Sequence, residues 1–303
     1  MKLLDHFWHE AHARRLDVLP VERDYIWHDG WPRWNEHSRP YPHNRIVDRY
    51  EPGQYDAVIL HVDEVCWRYQ SMAPQFRELR SVVKEPIIVI NHGAPENYID
   101  VYMMRDWLDG CHMVTNSAQA ASEWGWGTPI IHGYDAREWP VNTKDREPEI
   151  VTCVGGWRGF HHEYNGCDIL ERLMFSVPVT WIGLAEKPAT FDEYRHVLGR
   201  GTIYVNPTRR SPMPGARTEA MLMGLCVVSL PGHDTENYIE HGKTGYIVEE
   251  PELESTLLGL LKDPATVRRV GLAGAEAARA HFSTERYIND WMRLLGGING
   301  NRD

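Results

Sequence analysis

The strongest constraint on the fold is a rhythm of short apolar runs alternating with helical patterns from about residue 55 onward. The runs 55–61 (YDAVILH), 86–90 (PIIVI) and 113–115 (MVT) have the length and composition of buried strands. Between and after them, 71–83, 98–108 and 117–124 read as helices, the last behind Ser117 as N-cap. Strand, helix, strand in this order specifies parallel βαβ units, because parallel neighbours need a crossover between them. The rhythm pauses over 136–149 (AREWPVNTKDREPE), a charged, proline-containing stretch that reads as a linker. It restarts with strands at 150–154, 179–182, 202–205, 226–229 and 245–248 and helices at 167–175 and 217–223, and closes with helices at 251–262, 265–281 and 284–295. This predicts an α/β chain of two Rossmann-like, doubly wound domains, 1–140 and 148–303, facing each other across a cleft. Ligands of such folds bind beyond the carboxyl ends of the strands.

Composition removes several function classes. The net charge of −11 gives no global pull on nucleic acid or anionic membrane. No apolar stretch is long enough to span a bilayer, and the segment MKLLDHFWHEAHARRLD meets charge too early for a signal peptide. The five cysteines are scattered, without C-x-x-C, as in a reduced, cytoplasmic protein. His6, His9 and His12 lack the H-E-x-x-H spacing of a zinc protease, and there is no D-x-D, so no metal site is expected. Dinucleotide, P-loop and G-x-S-x-G fingerprints are absent, and no cofactor is expected.

The informative stretch is 205–248. A strand ends at Asn206-Pro207, a loop carries Arg209, Arg210, Ser211 and Gly215, and a helix starts near Ala216, followed by Arg217, Thr218 and Glu219. The start of a helix offers unpaired N–H groups and a positive dipole end, and a glycine there lets a phosphate approach. Glu219 in the first turn or so can accept hydrogen bonds from hydroxyls. A phosphate beside hydroxyls describes a nucleotide or a nucleotide sugar.

Thr218-Glu219-Ala220-Met221-x-x-Gly224-x-x-Val227-Val228, then Glu236 and Gly242-Lys243-Thr244-Gly245-Tyr246, resembles the donor-site segment of family 4 glycosyltransferases. Asn206-Pro207-Thr208, Val154-Gly155-Gly156-Trp157-Arg158 with Asn165-Gly166, and Ile131-His132-Gly133-Tyr134-Asp135 are similar to further family segments, as are Ile90-Asn91-His92-Gly93 and Val114-Thr115-Asn116-Ser117. The resemblance implies the GT-B architecture and metal-independent sugar transfer with retention, a nucleotide-diphosphate sugar being the donor substrate. It implies that Glu219 holds the ribose, that the Gly215–Arg217 backbone and Arg158 hold the diphosphate, and that His92 faces the donor sugar.

Two positions depart from the family pattern. Its glutamate eight residues before Glu219 is Ser211 here, and its lysine before a glycine is Asn165. Arg209 or Arg210 can replace the lost charge. A GT-B protein that only binds nucleotide sugars, or an epimerase, is the alternative. Acceptor recognition falls to the first domain, where Trp31, Arg33, Trp34 and Arg39 sit in an aromatic, arginine-containing stretch. Such a mixture suits a glycan or glycolipid precursor, or a hydroxymethylated base in phage-type DNA.

Overall fold

The computed structural model describes residues 1–36, 38–69, 73–143, 145–155, 161–232 and 234–300. The chain divides into two units: Met1–Gly133 joined by the helix that starts at Thr284, and Tyr134–Ser283.

The first unit is built on seven strands, β1 (Lys2–His6), β2 (Glu22–Ile26), β3 (Ile46–Val47), β4 (Ala57–Val62), β5 (Ile87–Asn91), β6 (His112–Thr115) and β7 (Thr128–Pro129), in the order β3-β2-β1-β4-β5-β6-β7. All pairings are parallel. Its connections include α1 (Glu10–Leu16), α2 (Glu64–Arg68), α3 (Pro74–Val82), α4 (Tyr98–Trp107) and α5 (Ala118–Trp124). Residues Ala57–Val62 and Ile87–Asn91 are buried along their whole length, as central strands covered on both faces must be. The pleat sends Val58, Leu60 and Val62 into one core with Trp67, Phe76, Met104 and Trp124. Ile59 enters a second core with Leu3, Ile88, Ile90 and Val114.

The second unit has five parallel strands, β8 (Ile150–Thr152), β9 (Val179–Trp181), β10 (Ile203–Asn206), β11 (Cys226–Ser229) and β12 (Tyr246–Ile247), ordered β12-β11-β10-β8-β9. Its helices are α6 (His161–Tyr164), α7 (Cys167–Leu173), α8 (Phe191–Arg200), α9 (Gly215–Leu222), α10 (Thr235–Tyr238), α11 (Leu253–Leu260) and α12 (Pro264–His281). The last helix, α13 (Thr284–Gly300), belongs to the first unit.

The two doubly wound α/β units follow the sequence rhythm, and the structure corrects three details. The sheet of the first unit begins at Lys2, well before the run at 55. The stretch 136–149 starts the second unit instead of linking two domains: Trp139 is buried, with its ring 5.7 Å from that of Phe191. The helix expected to close the second domain packs Tyr287, Trp291, Leu295 and Ile298 into the first unit's core beside Leu3 and Ile59. Its apolar stripe matched either unit by composition, so only three-dimensional packing assigned it.

Candidate active site

In the second unit, the candidate site residues gather where the strands end. After β10 the chain runs through a proline-rich loop into α9, whose N-cap is Pro214 and whose first turn has no side-chain cap. The N–H groups of Gly215, Ala216 and Arg217 therefore mark an anion-suited helix start. Glu219 stands just beyond the first turn and is 3% exposed. Tyr194 on α8 donates its hydroxyl to Glu219 Oε2 at 2.7 Å. That hydroxyl also lies 3.3 Å from Cys153 Sγ, and Cys153 in turn lies 3.5 Å from the Tyr204 hydroxyl. The carboxylate is thus held in one orientation by an aromatic-hydroxyl network on β8, β10 and α8. Tyr194 had no sequence signal, because its partner Glu219 lies 25 residues further along the chain.

Gly166 explains how close α7 comes to this loop. Its φ is +70°, and a Cβ there would lie 2.1 Å from the Pro207 carbonyl oxygen. The neighbouring Asn165, in the family's lysine position, donates its side-chain amide to the Gly155 carbonyl at 2.9 Å, bracing the loop after β8. Arg158 lies outside the described residues.

The two loop arginines part ways. Arg209 is clasped by Asp168 at 2.6 and 2.8 Å and by Glu250 at 2.9 Å. The Arg209 and Arg172 guanidinium groups hold the Asp168 carboxyl down to about 2, against a smaller upward push from burial. With two carboxylates already on it, Arg209 is not placed to take a donor phosphate. Arg210 is half-buried, with its guanidinium 5.9 Å from the Tyr164 ring centre. The Arg217 side chain is fully buried, donating to Thr235 Oγ1 and lying 3.4 Å from Met213 Sδ, so only its backbone is available to a ligand. Thr218 is likewise fully buried, and Ser211 is half-buried in the loop.

In the first unit, His92 follows the carboxyl end of β5, with its backbone N–H bonded to the Val62 carbonyl at 2.8 Å. It sits in a histidine cluster that sequence spacing did not reveal. The ring centroid of His9 is 4.5 Å away, that of His12 is 4.9 Å and that of His61 is 5.2 Å. Burial, then the charges of His9 and His12, push the His92 imidazole well below its ordinary range, so it is neutral at pH 7. No group of three or more His, Cys, Asp or Glu among the described residues has the geometry to hold a metal ion.

The aromatic stretch divides as well. Trp34 packs in a core with Phe7 and Tyr25 and donates its indole N–H to the Arg39 carbonyl at 2.8 Å. Trp31 joins the main core. Both are 7% exposed, so neither presents a face to an acceptor. Trp27 of the same stretch is half-buried, with the Arg33 guanidinium 5.1 Å from its ring centre. Trp27 lines a cavity of about 690 Å³ with His28, Asp29, Arg45, Asp48, Arg49 and Glu51.

The family model described as "Glycosyl transferases group 1" matches residues 151–263. No curated protein matches the chain. Among solved structures, sucrose-phosphate synthase from Thermosynechococcus elongatus has a TM-score of 0.70 at 14% identity, covering 99% of this chain and 100% of that one. Anabaena HepE in complex with UDP-glucose has a TM-score of 0.70 at 14% identity, covering 98% and 100%. TarM has a TM-score of 0.61 at 12% identity, covering 78% of this chain and 54% of its own. At these identities the structural likeness carries the fold, and the family match carries the donor-site segment. Residues 151–263 thus match the glycosyl transferases group 1 family, and the chain shares its fold with these GT-B structures.

Proposed function

We propose that the protein is a retaining, metal-independent glycosyltransferase that takes its sugar from a nucleotide-diphosphate donor. The observation that carries the reading is Glu219: a nearly sealed carboxylate, oriented by Tyr194, just beyond an uncapped helix start. Glu219 binds the ribose hydroxyls, and the N–H groups of Gly215–Arg217 receive the diphosphate. Arg158 and Arg210 supply fixed positive charge, which counts most as negative charge builds on the leaving phosphate. His92 is the first unit's contact to the donor sugar. HepE, crystallised with UDP-glucose, makes UDP-glucose the first donor to try.

Glu219→Ala is expected to weaken binding of UDP and UDP-glucose by roughly 1.5–3 kcal/mol, the worth of a hydrogen bond to a charged group. Calorimetry reads this directly, and unchanged affinity in a folded variant removes Glu219 from the site. Ser211 replaces a carboxylate by a hydroxyl, which fits a donor sugar with fewer charged contacts. Ser211→Glu should therefore reorder a panel of nucleotide sugars ranked by hydrolysis; an identical ranking means that Ser211 does not face the sugar. Release of free UDP separates the transferase from a mere binding protein, and a mass gain on an acceptor separates it from an epimerase.

For the acceptor, the cavity beside Trp27 favours a neutral glycan over DNA. Its lining sets Arg45 and Arg49 against Asp29, Asp48 and Glu51, with Arg49 already paired to Glu51 at 3.1 Å. Such a balance repels a polyanion, while carboxylates and guanidinium groups around an indole face suit hydroxyls and a sugar ring. Acceptor binding should accordingly change little between about 50 and 200 mM salt, where DNA binding through several phosphates would fall steeply. A steep fall would restore DNA as the acceptor.

A further inference from the structure

The loop that joins β10 to α9, residues 207–214 (PTRRSPMP), forms no helix or strand of its own, and Pro207, Pro212 and Pro214 supply no backbone donor. What holds it must therefore come from outside the loop. Its first half is tied to the turn between α6 and α7. The N–H groups of Arg209 and Arg210 both donate to the Tyr164 carbonyl, at 2.8 and 3.1 Å. Arg209 Nη1 donates to the Glu163 carbonyl at 3.0 Å. The same side chain then enters a closed ring of alternating charge. Arg209 grips both carboxylate oxygens of Asp168, at 2.6 and 2.8 Å, and Oε2 of Glu250 at 2.9 Å. Arg172 completes the ring, bonding Asp168 Oδ2 at 3.1 Å and Oε1 of Glu250.

Asp168 and Arg172 belong to α7, and Glu250 follows β12, so one guanidinium bolts the loop to two other segments of the second unit. The Arg209, Asp168 and Glu250 side chains are 34%, 25% and 39% exposed. A lone ion pair at such exposure is worth little, but a bidentate fork inside a network of charges fixes geometry. We propose that Arg209 is a positioning residue for the donor: its clasp by Asp168 and Glu250 orders the 207–214 loop and so fixes the start of α9, where the diphosphate is received. The role in binding rests on the glycosyltransferase reading; the ordering of the loop does not. Arg209 itself does not touch the phosphate, because both of its Nη atoms are spent on carboxylates. That separates positioning from direct contact by sign. Neutralising Asp168 and Glu250 frees Arg209 and removes two negative charges, which strengthens phosphate binding if Arg209 acts directly. It weakens binding if the clasp is what matters.

The test combines hydrogen exchange of the free, full-length protein with binding of UDP and of uridine, for Arg209→Ala, Arg209→Lys and the double variant Asp168→Asn/Glu250→Gln. In Arg209→Ala and in the double variant, exchange should quicken over residues 208–217. The dissociation constant for UDP should rise about tenfold, as when the competent loop is populated about a tenth of the time. Uridine carries no phosphate, so its affinity should stay unchanged. Lysine keeps the charge but loses the fork, so Arg209→Lys should fall between wild type and Arg209→Ala. Where Arg209→Ala does not fold, the lysine and double variants carry the test. Unchanged loop exchange in the variants overturns the proposal. So does unchanged or tighter UDP binding in the double variant, and so does an equal loss for UDP and uridine. A wild type that does not bind UDP removes the donor reading and the clasp's role in binding with it, while loop exchange still decides whether the clasp orders the loop.

Discussion

Acidifying the protein from pH 7 to pH 4 is expected to destabilise the first unit by several kcal/mol and to spare the second. His6 is fully buried, and its pKa is pushed down to about 3 by burial first and by His61 second. His12 is pushed well below its ordinary range by burial and then by His132, and His92 shifts the same way. In the unfolded chain these rings protonate near about 6.5. Between that pH and the folded values the unfolded state binds more protons, so stability is full above about pH 6.5 and falls as the pH drops, by up to about 1.4 kcal/mol per pH unit for each ring. For His6 alone the loss by pH 4 is about 3 kcal/mol. His12 and His92 add to it with the same sign, against a total stability of about 5–15 kcal/mol for a domain. The second unit has no buried histidine among its described residues. Its lowered carboxyls, Asp135, Asp263 and Asp168, the last at about 2, contribute stability that is lost only as the pH falls below the ordinary carboxyl range. Hydrogen exchange at pH 7 and pH 4.5, each extrapolated to its intrinsic rates, should show protection falling in β4 and β5 and persisting in β10 and β11. Equal loss in both units, or none, rejects this account.

The same buried charges explain which parts of the fold could be read from sequence. Strands β4, β5, β10 and β11 are mostly apolar runs, and the alternation with helices gave their parallel order. β1 and β2 read as KLLDH and ERDYI, with Asp5, His6, Arg23 and Asp24 all buried. Residues that ordinarily mark solvent break the apolar run, and only their mutual pairing, Arg23 on Asp5 and Lys2 on Asp24 at 3.1 Å, makes them compatible with a strand. The donor-site loop was legible because it depends on local order: a strand end, a glycine and a helix start. The contacts of Tyr194, His61 and Asp5 were not, since each is to a partner at least 25 residues away. Trp31 and Trp34 show the converse. An aromatic beside an arginine looks like a ligand face in sequence, but here the rings fill cores and Trp27 keeps the open side.

Trp291→Ala is expected to cost about 3–5 kcal/mol, the range for removing a large buried aromatic. Trp291 is 0% exposed and sits in one core with Leu3, Ile59, Ile88 and Val114, four side chains from four strands of the first unit's sheet. The helix that carries it is the last in the chain, and its neighbours in sequence, through α12, belong to the second unit. The first unit's sheet therefore has one face covered by a segment made after the whole second unit. Removing the indole opens that face and leaves Tyr287 and Leu295 without their common neighbour. For a unit of roughly 150 residues, each kcal/mol moves the melting temperature by about 2–4 °C, so a shift of roughly 10 °C is expected. Hydrogen exchange locates the effect: protection should fall in β1, β4, β5 and β6 while β8, β10 and β11 keep theirs. A shift confined to the second unit, or a cost below about 1 kcal/mol, would mean that α13 does not complete the first unit's core.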